Sequence, residues 1–147
     1  MAVEQGVYVW RRGGFERTRP ASRYVVPLDR DELYLVYFHN LDCPHCARFH
    51  PELVEALREE GVPEGLAYMV VCRWFASDCD DEDAKTAFIV YRVKSSPAVL
   101  AVLVRGGQVT QHVNLYTLAL LEGSARAREV IGMWRRLREK LIEARAR

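Results

Sequence analysis

The feature that most constrains this chain is an apolar segment that runs directly into two cysteines separated by two residues. Residues 33–39 form a continuous apolar and aromatic run, as expected for a strand buried on both faces of a parallel sheet. The tetrapeptide Cys43-Pro44-His45-Cys46 follows, and beyond it apolar residues recur at three- and four-residue steps, which predicts an amphipathic helix. We therefore expect both cysteines where a buried strand passes into a helix.

This placement favours redox chemistry at the tetrapeptide. A helix N-terminus presents free N–H groups and a partial positive charge, which stabilise a thiolate. We predict that Cys43 is the nucleophile, partly exposed at the helix tip, and that Cys46 is the resolving thiol one turn further in. A protonated His45 would lower the pKa of Cys43 further, whereas Asp42 would act in the opposite direction.

Other uses of the cysteine pair stay open. Cys43, Cys46 and His50 are ligand types that zinc accepts, and Cys72 or Cys79 could complete such a site. The pair could also be an inert structural disulfide. A structural zinc site usually joins two loops or knuckles, whereas this pair follows a buried strand and begins a helix. The histidines other than His45 are expected to be surface residues or hydrogen-bonded core residues.

The remaining pattern predicts an α/β fold in which a central mixed sheet is flanked by helices. A Gly-containing connection at residues 105–107 is typical of a β-hairpin. The predicted strands cover residues 3–10, 23–26, 33–39, 66–72, 98–104 and 108–113, and the predicted helices cover residues 44 to about 60, 78 to about 92, and the segment from about 124 onward.

Length and composition predict one domain. A chain of 147 residues that is half apolar can bury one full core and is too short for two ordinary domains. We divide residues 1–147 into an N-terminal extension that adds a strand (1–27), a core (28–113) and a C-terminal helical segment (114–147).

Charge and hydropathy restrict the partners and the location. A formal net charge of +1 argues against nucleic-acid binding, and the apolar runs are far too short to span a membrane. Glu4 and Gln5 stand where a secretory signal would need a basic start and an apolar stretch, so we expect a cytoplasmic protein. Scarce Asn and Gln would fit heat adaptation, although GC-rich coding would fit that scarcity too.

Three motifs resemble those of one family. Residues 34–46 resemble the active-site strand and turn of the thioredoxin superfamily, and the Cys-Pro-His-Cys tetrapeptide resembles that of bacterial periplasmic disulfide oxidases. Pro51 matches the proline that kinks the active-site helix of thioredoxins. Ser96 and Pro97, just before the predicted strand 98–104, match the cis-proline loop that faces the reactive disulfide and receives the substrate backbone.

This chain also departs from the family pattern. Tyr37 stands where thioredoxins carry a buried acidic residue that helps to deprotonate the second thiol, so water or another group must serve Cys46. Asp42 replaces a Trp, and Pro-His replaces Gly-Pro between the cysteines. The long helical insertion of the periplasmic oxidases is not expected, because about two dozen residues separate Cys72 from Pro97.

In a thioredoxin-like sheet, the strand that ends at Cys72 runs parallel to the active-site strand. Its carboxyl end should therefore open on the same edge as Cys43. Three interpretations of Cys72 and Cys79 stay open: a structural disulfide that closes a short loop, two independent thiols, or a second redox pair that relays electrons to Cys43.

The resemblance implies a thioredoxin-like three-layer sandwich and a protein thiol-disulfide oxidoreductase of undecided direction. The candidate catalytic residues are Cys43, Pro44, His45 and Cys46, with Ser96 and Pro97 as the substrate-binding loop. No organic cofactor and no metal are expected. The expected partners are protein or peptide disulfide or dithiol substrates and a reductase or oxidase that recycles the pair.

A rival interpretation belongs to another functional class. It is a redox-silent binding module that kept the fold and uses its cysteines for stability or zinc. We expect a monomer, with a dimer possible through the C-terminal helix.

Overall fold

The computed structural model describes residues 3–146, and its six strands form one mixed sheet. The strands are β1 (Gly6–Arg11), β2 (Gly14–Arg17), β3 (Glu32–Asn40), β4 (Ala67–Cys72), β5 (Ala98–Arg105) and β6 (Gln108–Asn114). Their order across the sheet is β2-β1-β4-β3-β5-β6. β3 and β4 are parallel, and every other neighbouring pair is antiparallel. This arrangement confirms the predicted mixed sheet.

Helices cover both faces of the sheet. They are α1 (Pro44–Glu59), α2 (Glu82–Val90), α3 (Leu115–Leu121) and α4 (Ala127–Ala146). Alternate residues of β3 face different helices, since Tyr37 contacts Phe49 of α1 while Phe38 contacts Phe88 of α2. α4 packs against α1 and α3. The predicted α/β sandwich, with its sheet between helical layers, is therefore confirmed.

The N-terminal extension contributes a hairpin rather than one strand. β1 and β2 are joined by Arg12 and Gly13, whose φ angles of 53° and 75° belong to a two-residue hairpin turn. The other edge of β1 pairs with β4. The extension therefore enlarges the central sheet, and β2 is a strand that the sequence pattern did not predict.

The short strand predicted over residues 23–26 was wrong. Val25 has a φ of 74°, and its N–H donates to the carbonyl of Ser22 at 2.9 Å, so the chain turns here. Val25 and Val26 are nevertheless buried, and the carbonyl of Tyr24 accepts a hydrogen bond from the Tyr91 hydroxyl at 2.6 Å. These two valines therefore belong to the core, although they lie in a turn and not in a strand of the sheet.

The sequence placed the start of α2 too early and did not separate α3 from α4 in the C-terminal segment. α2 begins only after Asp81, whose side chain accepts the N–H of Ala84 at 2.8 Å. The C-terminal segment holds two helices separated at Gly123, where φ is 113°. The first of these is capped by Asn114, whose side chain accepts two backbone N–H groups.

The parallel pair at the centre of the sheet defines the edge that carries the cysteines. Asn40 ends β3 and lies opposite Cys72 at the end of β4. The chain leaves β3 here and enters α1 after Cys43. Within the described residues, no helix has the length and apolar character needed to cross a membrane.

Candidate active site

Cys43 is the N-cap of α1, and its sulfur takes part in the capping. Its backbone is extended (φ −101°, ψ 112°), and Sγ accepts the N–H of Cys46 at 3.2 Å. Pro44 occupies the first turn of the helix, where the backbone N–H groups have no partner within the helix, so the lack of an N–H in proline costs no hydrogen bond. The tetrapeptide thus aims backbone donors at the first sulfur.

The two thiols differ in depth. Cys43 is 5% exposed and Cys46 is fully buried, so Cys43 is the outer sulfur, although it is less exposed than expected. Both are free thiols in this structure. Of the two sulfurs, only that of Cys43 belongs to a residue with any exposed surface.

The surroundings also separate the proton affinities of the two thiols. Burial alone would raise the pKa of Cys43, but hydrogen bonds with the side chains of Cys46 and Ser96 and with the N–H groups of Cys46 and His45 lower it and prevail. Burial, followed by the adjacent Cys43 thiol, raises the pKa of Cys46. Cys43 is the better thiolate, and Cys46 keeps its proton.

His45 lies exposed beside Arg48. The Arg48 guanidinium is 2.9 Å from Nδ1 of His45. Because a guanidinium can only donate, this contact requires Nδ1 of His45 to carry no proton. Arg48, a residue that the sequence analysis did not single out, adds a positive charge to this face of α1.

Ser96 and Pro97 lie against the reactive sulfur. The peptide bond between them is cis, and the carbonyl oxygen of Ser96 is 3.7 Å from Sγ of Cys43. The loop reaches this position because β5 is antiparallel to β3, which places the start of β5 beside the end of β3. The structure thus brings together the tetrapeptide and the loop that the sequence placed more than fifty residues apart.

Asn40 joins this loop to the segment after β4. Its Nδ2 donates to the Ser96 hydroxyl at 3.0 Å, and its Oδ1 accepts the N–H of Phe75 at 2.7 Å. Asn40 is fully buried, and both of its partners are partly exposed. The sequence analysis missed this residue, although a polar amide at the end of an otherwise apolar strand was a usable signal.

Cys72 and Cys79 are joined by a disulfide bond, so they are not independent thiols in this structure. The bond closes a loop beside the turn that leads to Cys43. Within that turn, the N–H of Leu41 donates to the carbonyl of Cys72 at 3.0 Å, and the N–H of Asp42 donates to the carbonyl of Arg73 at 3.1 Å. The structural and relay interpretations of this pair both remain predictions.

The disulfide also bears on the zinc interpretation. With their sulfurs bonded to each other, Cys72 and Cys79 have no thiolate to offer a metal. In the part of the chain that the structure describes, no three His, Cys, Asp or Glu side chains are grouped as a metal site requires.

Behind the cysteines lies a cluster of three rings that we call the Tyr-His-His cluster: Tyr37, His39 and His50. The Tyr37 hydroxyl is 2.7 Å from Nδ1 of His39, and the His50 ring stacks on the Tyr37 ring. Burial and then the neighbouring His50 lower the pKa of His39 to about 4, and burial lowers the pKa of His50. Burial and then the charges of Cys46 and Cys43 raise the pKa of Tyr37 well above its ordinary value.

The fold and the site together define a class of protein. It is an α/β sandwich with a Cys-x-x-Cys pair at a helix N-terminus, facing a cis-proline loop. The family model described as thioredoxin matches residues 32–125. The chain therefore belongs to the thioredoxin family, which confirms the resemblance found in the sequence. Membership supports a thiol-disulfide oxidoreductase at a general level.

A solved structure agrees in fold. The crystal structure of thioredoxin from Aeropyrum pernix matches with a TM-score of 0.52 at 18% sequence identity. The match covers 76% of this chain and 83% of that chain. No curated protein sequence gave a significant match. The similarity at this identity is one of fold.

Proposed function

We propose that this chain exchanges disulfides with protein or peptide substrates through Cys43 and Cys46. The observation that carries the proposal is the asymmetry of the two thiols. Cys43 is the outer sulfur, accepts a backbone N–H at the helix start and has a lowered pKa, whereas Cys46 is fully buried with a raised pKa. One sulfur is suited to attack, and the other to resolve the intermediate.

The exchange proceeds in two steps. The Cys43 thiolate attacks one sulfur of a substrate disulfide, forms a mixed disulfide and releases the other substrate sulfur as a thiolate. Cys46 then loses its proton and attacks Sγ of Cys43, which forms the Cys43–Cys46 bond and releases the second substrate thiolate. The substrate gains two electrons and the pair loses two. In the opposite direction a substrate dithiol reduces the Cys43–Cys46 bond, and a recycling reductase or oxidase sets the direction.

The cis-proline loop supports a peptide substrate. Because the Ser96 carbonyl lies next to Sγ of Cys43, backbone at the start of β5 is within reach of a chain bound through that sulfur. β5 itself is already paired on both sides, with β3 and with β6, so an extended substrate segment would pair with the loop backbone before β5, at the edge of the sheet that carries the cysteines. Trp74 is 46% exposed and packs edge-on against Phe75, which Asn40 fixes, so it offers apolar surface near the same edge.

An insulin-reduction assay with dithiothreitol, paired with oxidation of reduced ribonuclease, tests the proposal. Cys43→Ser should abolish both activities, and Cys46→Ser should accumulate a mixed disulfide with substrate that mass spectrometry detects. Cys72→Ala with Cys79→Ala is the matched control, since it removes two sulfurs without touching the tetrapeptide. Activity retained in the control favours a structural disulfide. Activity lost from a control that is still folded by circular dichroism favours a relay.

Two results would contradict the proposal. Equal activity in the wild type and Cys43→Ser would exclude catalysis at Cys43. Stoichiometric zinc in the purified protein would favour the redox-silent binding module.

The direction of exchange follows from one further measurement, the reduction potential of the Cys43–Cys46 pair equilibrated against glutathione. A potential of about −270 mV would indicate a reductase, and a potential of about −120 mV would indicate a strong oxidase. The cytoplasmic location stays a prediction.

A further inference from the structure

We propose that His50 accepts the proton of Cys46 when Cys46 attacks the mixed disulfide, and that Tyr37 and His39 position His50 for this role. The inference deepens the proposed function and depends on it. It assigns a base to Cys46 in a chain that has Tyr37 at the position where thioredoxins carry a buried acidic residue.

Cys46 needs an internal proton acceptor because solvent does not reach it. Its side chain is fully buried, and burial raises its pKa, so it holds its proton at neutral pH. Before Cys46 can attack Cys43, that proton must move to a neighbouring group. His50 is only half-buried, so it can receive a proton on its inner side and return it to water on its outer side.

His50 lies on the same face of α1 as Cys46. The two residues are four apart in one helix, which brings their side chains one above the other. Nδ1 of His50 is buried and has no hydrogen-bond partner among the described residues. An unpartnered buried nitrogen costs free energy, so it calls for a functional reason.

The other two members of the Tyr-His-His cluster fix the His50 ring. The ring planes of His50 and Tyr37 differ by 18° with centroids 6.0 Å apart, and His39 meets His50 edge-on at 5.3 Å. The Tyr37 hydroxyl in turn holds His39 at 2.7 Å. These contacts restrict the rotation of His50 without occupying Nδ1.

The charges around His50 favour a neutral, proton-accepting ring. The titratable groups on the packed elements are Tyr37 and His39 from β3, Cys46 from α1, and Tyr116 of α3, which reaches the same region through Phe49. Tyr37 stays a neutral phenol because burial raises its pKa. The lowered pKa of His50 and of His39 keeps both rings neutral at pH 7, so a ring nitrogen of His50 is free to accept the proton.

The test uses Ellman's reagent, because its two releases report the two thiols separately. The Cys43 thiolate attacks the reagent, forms a mixed disulfide and releases one thionitrobenzoate. Cys46 then gives its proton to His50, bonds to Cys43 and releases the second thionitrobenzoate. Stopped-flow absorbance on the reduced full chain resolves both phases across pH 5 to 9.

We expect His50→Gln to leave the first phase unchanged and to slow the second at pH 7 by at least about a hundredfold, the lower end of what a positioned base contributes. His112→Gln is the matched control and should leave both phases unchanged, because His112 lies on β6 and meets Tyr91 edge-on. Equal slowing of both phases, or no slowing of the second phase, would overturn the role of His50.

The wild-type pH profile keeps the inference testable if His50→Gln does not fold. With His50 as the acceptor, the second-phase rate should already be level at about pH 6.5, because burial holds the pKa of His50 below that ordinary histidine value. A rate that rises tenfold per pH unit from 5 to 9 would identify hydroxide as the acceptor and overturn the inference. If the wild type releases only one thionitrobenzoate, Cys46 does not resolve the intermediate, and the proposed function itself fails.

Discussion

At the scale of single residues, side chains of the same type have different surroundings in this site. Cys43 receives the N–H of Cys46, while Cys46 lies in the core with a raised pKa. His45 is exposed beside Arg48, whereas His39 is buried against Tyr37. For the two cysteines, burial and local donors decide which thiol ionises more readily.

The buried His39 should make stability depend on pH. Its folded pKa is about 4, against 6.5 for an ordinary histidine, so between these values the unfolded chain binds more protons than the folded one. The contribution of neutral His39 to the free energy of unfolding is therefore fully present above about pH 6.5, and it is lost as the pH decreases toward 4. At about 1.4 kcal/mol per pKa unit, the loss due to His39 is about 3 kcal/mol. His50 acts in the same direction.

Urea unfolding at intervals from pH 4 to 7.5 measures this dependence. His39→Gln keeps a group that can bond to Tyr37 but does not titrate, so it should flatten the curve between pH 4 and 6.5. His112→Gln, which removes an exposed histidine on β6, is the control. A wild-type slope that His39→Gln leaves unchanged would show that other groups carry the pH dependence.

The sequence predicted the residues whose roles depend on local structure. Cys43 and Cys46 follow from a helix start, which a short stretch of sequence defines. The contacts of Asn40 and the stacking of His50 on Tyr37 depend on how β3, β5 and α1 pack, and no local pattern encodes that. The histidines other than His45 were therefore expected to be surface residues or hydrogen-bonded core residues.

At the scale of elements, the site occurs where two parallel strands end together. The turn after β3 donates one hydrogen bond to Cys72, the last residue of β4, and one to Arg73, the next residue. The Cys72–Cys79 disulfide closes the segment after β4 into a loop. Such a bond stabilises mainly by restricting the unfolded chain. The loop supports the backbone that presents Cys43.

Removing this disulfide should therefore cost stability. For a sequence separation of 7 residues, loop-closure entropy gives about 2 to 3 kcal/mol. The comparison is made in a Cys43→Ser, Cys46→Ser background, whose one disulfide is Cys72–Cys79. In that background we expect Cys72→Ala with Cys79→Ala to lower the free energy of unfolding in urea by about this much. Ser77→Ala, an exposed change in the same loop, should shift stability by less than about 0.5 kcal/mol.

Reduction supplies an internal check of that value. Dithiothreitol should lower the stability of the chain that retains Cys72 and Cys79 to that of the Ala variant, and should leave the variant unchanged. If the variant is as stable as its parent under oxidising conditions, the bond has no structural role.

Among the elements, the central strands were predicted best because they are buried on both faces and read as apolar runs. β2 and the turn at residues 23–26 were not predicted. β2 exists because positive φ at Arg12 and Gly13 folds it back on β1, and Val25 is buried without pairing in the sheet. Apolar composition predicts burial at such positions more directly than it predicts a strand.

At the scale of the whole molecule, the N-terminal hairpin is built into the same core as the site. β1 lies between β2 and β4, and its residues Val7, Val9 and Trp10 are buried. α2 packs on β1 as well as on β4. The extension predicted over residues 1–27 should therefore unfold together with the core, as the single-domain prediction requires.

Native-state hydrogen exchange at graded denaturant tests this expectation, since cooperative units open with separate free energies. The amides of β1 should exchange with the same free energy as those of β3, because freeing β1 would expose the edge of β4 and the apolar residues that β1 covers. α3 is the internal contrast. It is short, and Leu121 at its end is 79% exposed, so its amides should exchange at lower free energy. If residues 6–17 instead open below the global free energy, the hairpin is a separate unit, and the site can persist without it.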